Sequence, residues 1–378
     1  MKRRHKIISL FLLLSAIMPK GRAQPSFDSI LEVTRAEYGF PALSAIIVLN
    51  NGNIYNGLSG VRKYGDETPV TANDCWHLGS NCKSFTATIV GRLVEQGLAR
   101  WDMTIGEVLG SSIQISEGYK SVTFYQLFSH CGGLPHDFKY NTAWKNAVKR
   151  KGNIHKQRLD LLSPILSEPP EYKPGSEHHY SNSGIVLAGL MAEQITGLTW
   201  EDLVFKEVIE PLGITSAGFG APGTQNTIFQ PWGHQVDKNK IIPVNPGPKA
   251  DNPPAMGPSG TLYMSLPDYA LFLMEQIQGE KGNGKLLTAD TYKIMHSDPD
   301  GKGCGLGWGV DNEPVFGRVL NHTGSNGYWF HRVWIAPETG IGIAIASNIA
   351  ISESQKAFEE LLAQLKQIAL KMNSQNRY

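Results

Sequence analysis

The sequence predicts an α/β plus α fold: an antiparallel sheet flanked by helices, with a mainly helical lobe inserted into it. Three observations carry this reading. Apolar, β-branched segments that read as hairpins lie at both ends of the chain. Helical periodicity dominates the middle, and a helix stands outside each terminal set of strands. At 378 residues the chain is long enough to bury a large core in two lobes.

Taken in order, Lys2-Arg3-Arg4-His5-Lys6 forms a positive stretch, and 7–18 is apolar but too short to span a bilayer. Gly21-Arg22-Ala23 supplies small residues at a cleavage position, so 1–23 reads as a signal peptide cut after Ala23. That predicts an exported, periplasmic or secreted protein. Segment 26–38, with Ile30, Leu31 and Val33, reads as the first helix. Segments 42–48 and 54–61 flank Asn50-Asn51-Gly52-Asn53 as a hairpin. Helices are expected over 85–96, 183–195 and 200–209, separated by Pro-rich loops at Pro169-Pro170 and 243–258. Near the end, 328–336 and 341–347 flank Pro337-Glu338-Thr339-Gly340 as a second hairpin. A helix follows over 353–372, with Phe358, Leu361, Leu362, Leu365 and Ile368 on one stripe. The predicted lobes are therefore 24–100 with 258–378, discontinuous and α/β, and 101–257, mainly helical.

Composition excludes several function classes. The formal charge is +1 with acids and bases mixed along the chain, so no nucleic-acid surface is expected. No stretch after the N-terminus is long and apolar enough for a stable membrane span. Cys75, Cys82, Cys131 and Cys304 have no zinc spacing. In an exported chain they could pair in three full connectivities, whereas Cys82 reads as a small buried residue. Glu177-His178-His179 lacks His-x-x-x-His spacing and a third ligand, so no metal or other cofactor is expected.

The chemistry-bearing residues fall in three short motifs. Ser80-Asn81-Cys82-Lys83 opens a predicted helix, where residues three apart share a face, so Lys83 can sit beside the Ser80 hydroxyl. A neutral serine needs such a neighbour to become a nucleophile. Tyr180-Ser181-Asn182 lies at a loop-to-helix junction, where a phenol can hold or shuttle a proton and an amide can bind substrate. His322-Thr323-Gly324 precedes the last hairpin, and a strand edge there could bind an extended amide. Alone, each motif is equally a capped helix, a core tyrosine or a turn.

In this order and spacing, the three motifs resemble the serine β-lactamase and penicillin-binding-protein superfamily. Within it, the branch of class C β-lactamases and DD-peptidases, whose middle motif begins with tyrosine, is the most similar. Segments 127–135, Pro174-Gly175, 258–263 and Ala346-Ser347-Asn348 share the resemblance. It implies a β-lactamase/transpeptidase-like fold and a serine hydrolase in which Ser80 is acylated while Lys83 and Tyr180 manage protons. It further implies that the backbone N–H groups of Ser80 and Ser325 form an oxyanion hole. Asn182, His322, Thr323, Gly324, Ser325 and, more weakly, Asn348 would bind substrate: a β-lactam, a D-amino-acid peptide or an ester. A non-catalytic module binding cell-wall peptide or β-lactam is the alternative from another class. One departure stands out. The commonest β-lactamases carry lysine where this chain has His322. A histidine titrating near 6.5 would make activity on anionic substrates fall as pH rises through that value.

Overall fold

The computed structural model describes residues 27–139, 141–150 and 152–375. The expected signal peptide lies outside them. The N-terminal helix α1 (Phe27–Tyr38) leads into strands β1 (Ala42–Leu49) and β2 (Ile54–Gly60). Gly52 turns the hairpin at φ +89°, a conformation suited to glycine. Three short strands follow along the chain: β3 (Cys75–His77), β4 (Gly218–Phe219) and, later, β7 (Leu262–Ser265). They form a small sheet in the order β3-β7-β4. Strands β5 (Gly233–Asp237) and β6 (Lys240–Val244) pair only with each other among the named strands. The last four strands are β8 (Gly309–Glu313), β9 (Gly317–Ser325), β10 (Phe330–Ala336) and β11 (Ile341–Ser347).

Both chain ends build one six-stranded sheet, ordered β2-β1-β11-β10-β9-β8. The join is antiparallel β1 on β11, from Leu43 opposite Ser347 to Leu49 opposite Ile341. Every residue of these two central strands is buried, because both faces are covered. Alternation sorts them. Leu43, Ala45, Ile47 and Leu49 pack with Leu31, Phe358, Leu361 and Leu365 on the outer side. Ala42, Ile46 and Val48 belong to the inner core with Phe85, Phe272, Leu273 and Ile277.

Four further helices pack on the sheet or build the cleft: α2 (Cys82–Glu95), α3 (Asn182–Thr196), α4 (Leu266–Gly279) and the C-terminal α5 (Ser354–Gln375). The inner core is continuous from the sheet through α2 and α4 to α3 and the helices of segment 101–257. The predicted stripe of α5 is buried throughout. The first helix forms as its spacing predicts; it buries Leu31 and Thr34 and leaves Val33 66 % exposed. The expected helix at 200–209 is α-helical over Trp200–Val204 and then widens to π-type turns over Phe205–Ile209. All four cysteines are buried free thiols, so no disulfide forms. Cys82 Sγ instead accepts a hydrogen bond from Leu262 N at 3.1 Å, which ties α2 to β7. Among the described residues no helix is long and apolar enough to cross a membrane.

Candidate active site

A short strand, a tight turn and a helix present Ser80. Strand β3 ends at His77, Gly79–Asn81 makes one 3-10 turn, and α2 begins at Cys82. Gly79 takes φ +53°, and a Cβ there would fall 2.3 Å from Ser325 N. A Cβ on Gly324 would lie 2.0 Å from Leu78 O and 2.8 Å from Ser80 N. Two glycines therefore let the turn and β9 approach backbone to backbone, which brings the N–H groups of Ser80 and Ser325 near one another. Beneath the turn, Gly79 N donates to His77 Nδ1 at 3.0 Å. His77 Nε2 lies 2.9 Å from Asp251 Oδ1, which also accepts from Asn326 Nδ2 at 2.9 Å.

Lys83 follows one turn after Ser80 and is fully buried. Its Nζ donates to Ser80 Oγ at 3.0 Å, to Asn182 Oδ1 at 2.8 Å and to Ser259 O at 2.9 Å. These three acceptors fill the donor capacity of a lysine amine and fix its position. Tyr180 Oη donates to Ser80 Oγ at 2.7 Å. The serine oxygen thus receives two hydrogen bonds, an arrangement that stabilises negative charge on it.

Helix α3 places the middle motif. Ser181 is its N-cap, accepting from Gly184 N at 2.9 Å and donating to Pro135 O at 2.6 Å. Tyr180 therefore stands just before the helix and Asn182 in its first turn. The amide of Asn182 is oriented from both ends: Oδ1 faces Lys83, and Nδ2 donates to Asp137 Oδ1 at 3.1 Å. The Tyr180 ring has the rings of His130, His136 and His322 around it at 4.7, 5.5 and 6.2 Å. Lys83 Nζ lies 4.8 Å from its centroid. Burial, reinforced by the Lys83 charge, holds His130 well below its ordinary value and hence neutral. Its Nδ1 accepts from Ser181 N at 3.2 Å.

The third motif lies inside β9, in keeping with the strand edge expected there. Pairing of β8 with β9 ends at Gly309 opposite Asn321, so residues 322–325 run beyond that partner. The edge they leave can pair with an extended amide. His322 Nδ1 is 2.9 Å from Thr323 O, which suits a neutral ring protonated at Nδ1. Burial first, and the Lys83 charge second, push His322 down to about 3, against the opposing pull of the Thr323 carbonyl. The expected titration near 6.5 is thereby corrected: the ring is uncharged across the neutral range. Arg332, opposite Thr323 on β10, donates from Nη1 to Thr323 Oγ1 at 3.2 Å and to Asn321 Oδ1 at 3.0 Å. Its Nη2 pairs with Glu359 at 3.2 Å.

Asn348 does not reach the cleft. It is fully buried; Oδ1 accepts from Ala42 N at 2.9 Å, and Nδ2 donates to the carbonyls of Val61 and Arg62 at 3.3 and 3.2 Å. This side chain clasps backbone and has no group to offer a substrate carboxylate. Two chambers meet at the Ser80–Tyr180 pair. One, of about 210 Å³, is lined by Ser80, Asp137, Asn182, Ser259, Ser325 and Asn326 among others. The other, of about 300 Å³, is lined by Tyr180, His130, His322, Thr323, Trp308 and Arg332 among others. Motif spacing did not single out Asp137, Ser259, Arg332 or the His77–Asp251 brace. Asp137 lies just past segment 127–135, and Ser259 falls within 258–263, so the resemblance pointed to their neighbourhood but not to their contacts.

Comparison with known proteins places this geometry. The Beta-lactamase family model matches residues 27–366, most of the chain. Penicillin-binding protein 4 of Amycolatopsis lactamdurans is 26 % identical over 360 residues, covering 90 % of this chain and 89 % of the relative. Among solved structures, a D-amino acid amidase from Ochrobactrum anthropi superposes with a TM-score of 0.74 at 18 % identity, covering 93 % of this chain and 99 % of that one. A β-lactamase/D-alanine carboxypeptidase from Pseudomonas syringae does so with a TM-score of 0.69 at 18 % identity, covering 89 % and 98 %. These likenesses show a β-lactamase/transpeptidase-like fold.

Proposed function

This chain belongs to the β-lactamase family of serine hydrolases, and we propose that it cleaves amide or ester bonds through an acyl-enzyme on Ser80. The observation that carries the reading is Ser80 Oγ held by Lys83 Nζ at 3.0 Å and Tyr180 Oη at 2.7 Å. In the reacting state the Lys83–Tyr180 pair holds one proton fewer than an ammonium and a phenol together, so as Ser80 Oγ attacks the carbonyl carbon its proton passes to that pair. As the carbonyl re-forms, the bond to the leaving amine or alcohol breaks, and Tyr180 returns the proton to that group. Water then attacks the acyl-enzyme, releasing the acid and restoring Ser80. The N–H groups of Ser80 and Ser325 receive the oxyanion, and Asn182 orients the substrate amide.

The physiological substrate we propose is a peptide amide or an ester rather than a β-lactam. A neutral His322 supplies no cation for a β-lactam carboxylate, and Arg332, the cation lining the same chamber, is engaged by Asn321, Thr323 and Glu359. The penicillin-binding relative supports acylation by a β-lactam without requiring rapid turnover. The test is side-by-side turnover of a D-Ala-D-Ala peptide, a p-nitrophenyl ester and a chromogenic cephalosporin by the wild type and Ser80→Ala. Peptide or ester turnover that is lost in Ser80→Ala supports the proposal. Cephalosporin turnover exceeding both reverses the substrate assignment, and turnover surviving in Ser80→Ala rejects the mechanism.

The proposal includes export with removal of residues 1–23. A mature protein recovered outside the cytoplasm and beginning at Gln24 supports it, and an intact Met1 end on all of the protein contradicts it.

A further inference from the structure

The two chambers at Ser80 differ in charge. Tyr180, which hands a proton to the leaving group in the proposed mechanism, lines the second chamber, so that chamber is the leaving-group side. Ser80, which keeps the acyl group, lines the first. Among the described residues lining the acyl chamber, Asp137 carries the one ionisable carboxylate, and no lysine or arginine lines it. Lys83 is buried behind the wall and its donors are spent on Ser80, Asn182 and Ser259.

Asp137 is held in place while remaining open. Its side chain is about half exposed; Oδ1 accepts from Asn182 Nδ2 at 3.1 Å, and Oδ2 lies 2.9 Å from His136 Nδ1. Each carboxylate oxygen keeps further acceptor capacity, since an ionised carboxylate offers about four lone-pair sites. Asn182 therefore links two functions. One end of its amide meets the lysine beside the nucleophile, and the other positions a carboxylate in the chamber that receives the acyl group.

We propose that Asp137 recognises a protonated amine on the acyl side of the scissile bond. The preferred substrates are then amides or peptides whose acyl group is a small amino acid with a free amino group. Two observations besides the carboxylate favour this. The chamber, at about 210 Å³, suits a small acyl group. No lysine or arginine lines this chamber, so Asp137 supplies the one formally charged side chain among its described lining residues. The inference rests on Ser80 being the acylated nucleophile.

The test uses three alanyl p-nitroanilides in both D and L series: free amine, N-acetyl and N-succinyl, with acyl-side charges of +1, 0 and −1. The wild type is expected to rank them by kcat/KM as free amine, then acetyl, then succinyl. The free-amine preference over acetyl should be about tenfold or more, as one charge-assisted hydrogen bond provides. D137N should shrink that ratio at least about fivefold, mainly through KM, and D137E should restore part of it. A wild-type ratio near one, or a ratio that D137N leaves unchanged, overturns the amine assignment while turnover that depends on Ser80 preserves the mechanism. Absence of turnover with all three substrates by folded protein overturns both.

Discussion

Ser80 Oγ takes hydrogen bonds from Lys83 and Tyr180, so each partner can be removed separately. Tyr180→Phe deletes the proton carrier and leaves the ring among its histidines. We expect kcat to fall about 10²- to 10⁴-fold with KM changed little, measured by steady-state kinetics on an ester. His322 makes a sharper prediction. Because burial holds it near 3, it does not titrate between pH 5.5 and 8. Wild type and His322→Gln should therefore share the shape of their kcat/KM profiles over that range. An inflection near 6.5 that disappears in the variant would contradict this. The Ser80–Lys83 contact was legible in the sequence because its geometry is local: the two residues are one turn apart. Asn348 was misread because its partners, Ala42, Val61 and Arg62, are about 300 residues away in the chain. Its amide closes a seam between chain ends, so Asn348→Ala should lower stability by about 1–3 kcal/mol in denaturant unfolding, the cost of stranding buried backbone groups. The KM for substrate should stay within about twofold, whereas a rise of tenfold or more would restore the residue to substrate binding.

At the scale of elements, the site depends on how closely the nucleophile turn approaches β9. Gly324→Ala would thrust a methyl group toward Leu78 O and Ser80 N. It should cost about 1–3 kcal/mol of stability by overpacking. It should also lower kcat about 10²-fold or more, because the two oxyanion donors are forced apart. A folded variant with wild-type kcat would place the oxyanion donors elsewhere. Beyond the glycine itself this contact was not legible, since a turn and a strand edge far apart in the chain meet only in the folded protein. The long elements were readable because their periodicity spans several turns: α5 buries the stripe that its pattern predicts. Strands β3, β4 and β7 were not, because segments of two to four residues carry no period. The His-Thr-Gly motif was legible as a strand edge, whereas the neighbour that stops short of it, β8, was not.

For the whole molecule, the discontinuous sheet joins β1 and β2 to β8–β11, with segment 101–257 between them in the chain and strands β4 to β6 within that segment. Both chain ends must therefore come together before the cleft has its β9 wall. Buried histidines set the acid limit of this assembly. Burial pushes His331 down to about 3 and His234 down to about 4, and both are fully buried. Their folded values lie below the unfolded value near 6.5, so the unfolded chain binds more protons at acid pH. Their contribution is fully present above 6.5 and is lost as pH falls toward 4 and 3. By pH 4.5 each should have lost about 2–3 kcal/mol. A thermal-unfolding series should show Tm falling steeply below pH 6.5, and the fall should soften in His234→Gln. A flat Tm from 7.5 to 4.5 would contradict the assignment. Acylation of Ser80 is read out by intact-mass spectrometry of the protein quenched during reaction with a penicillin and with an activated ester. One acyl adduct per chain is expected, mapped to Ser80 and absent from folded Ser80→Ala. An adduct on another residue, or hydrolysis that persists in Ser80→Ala, would contradict it.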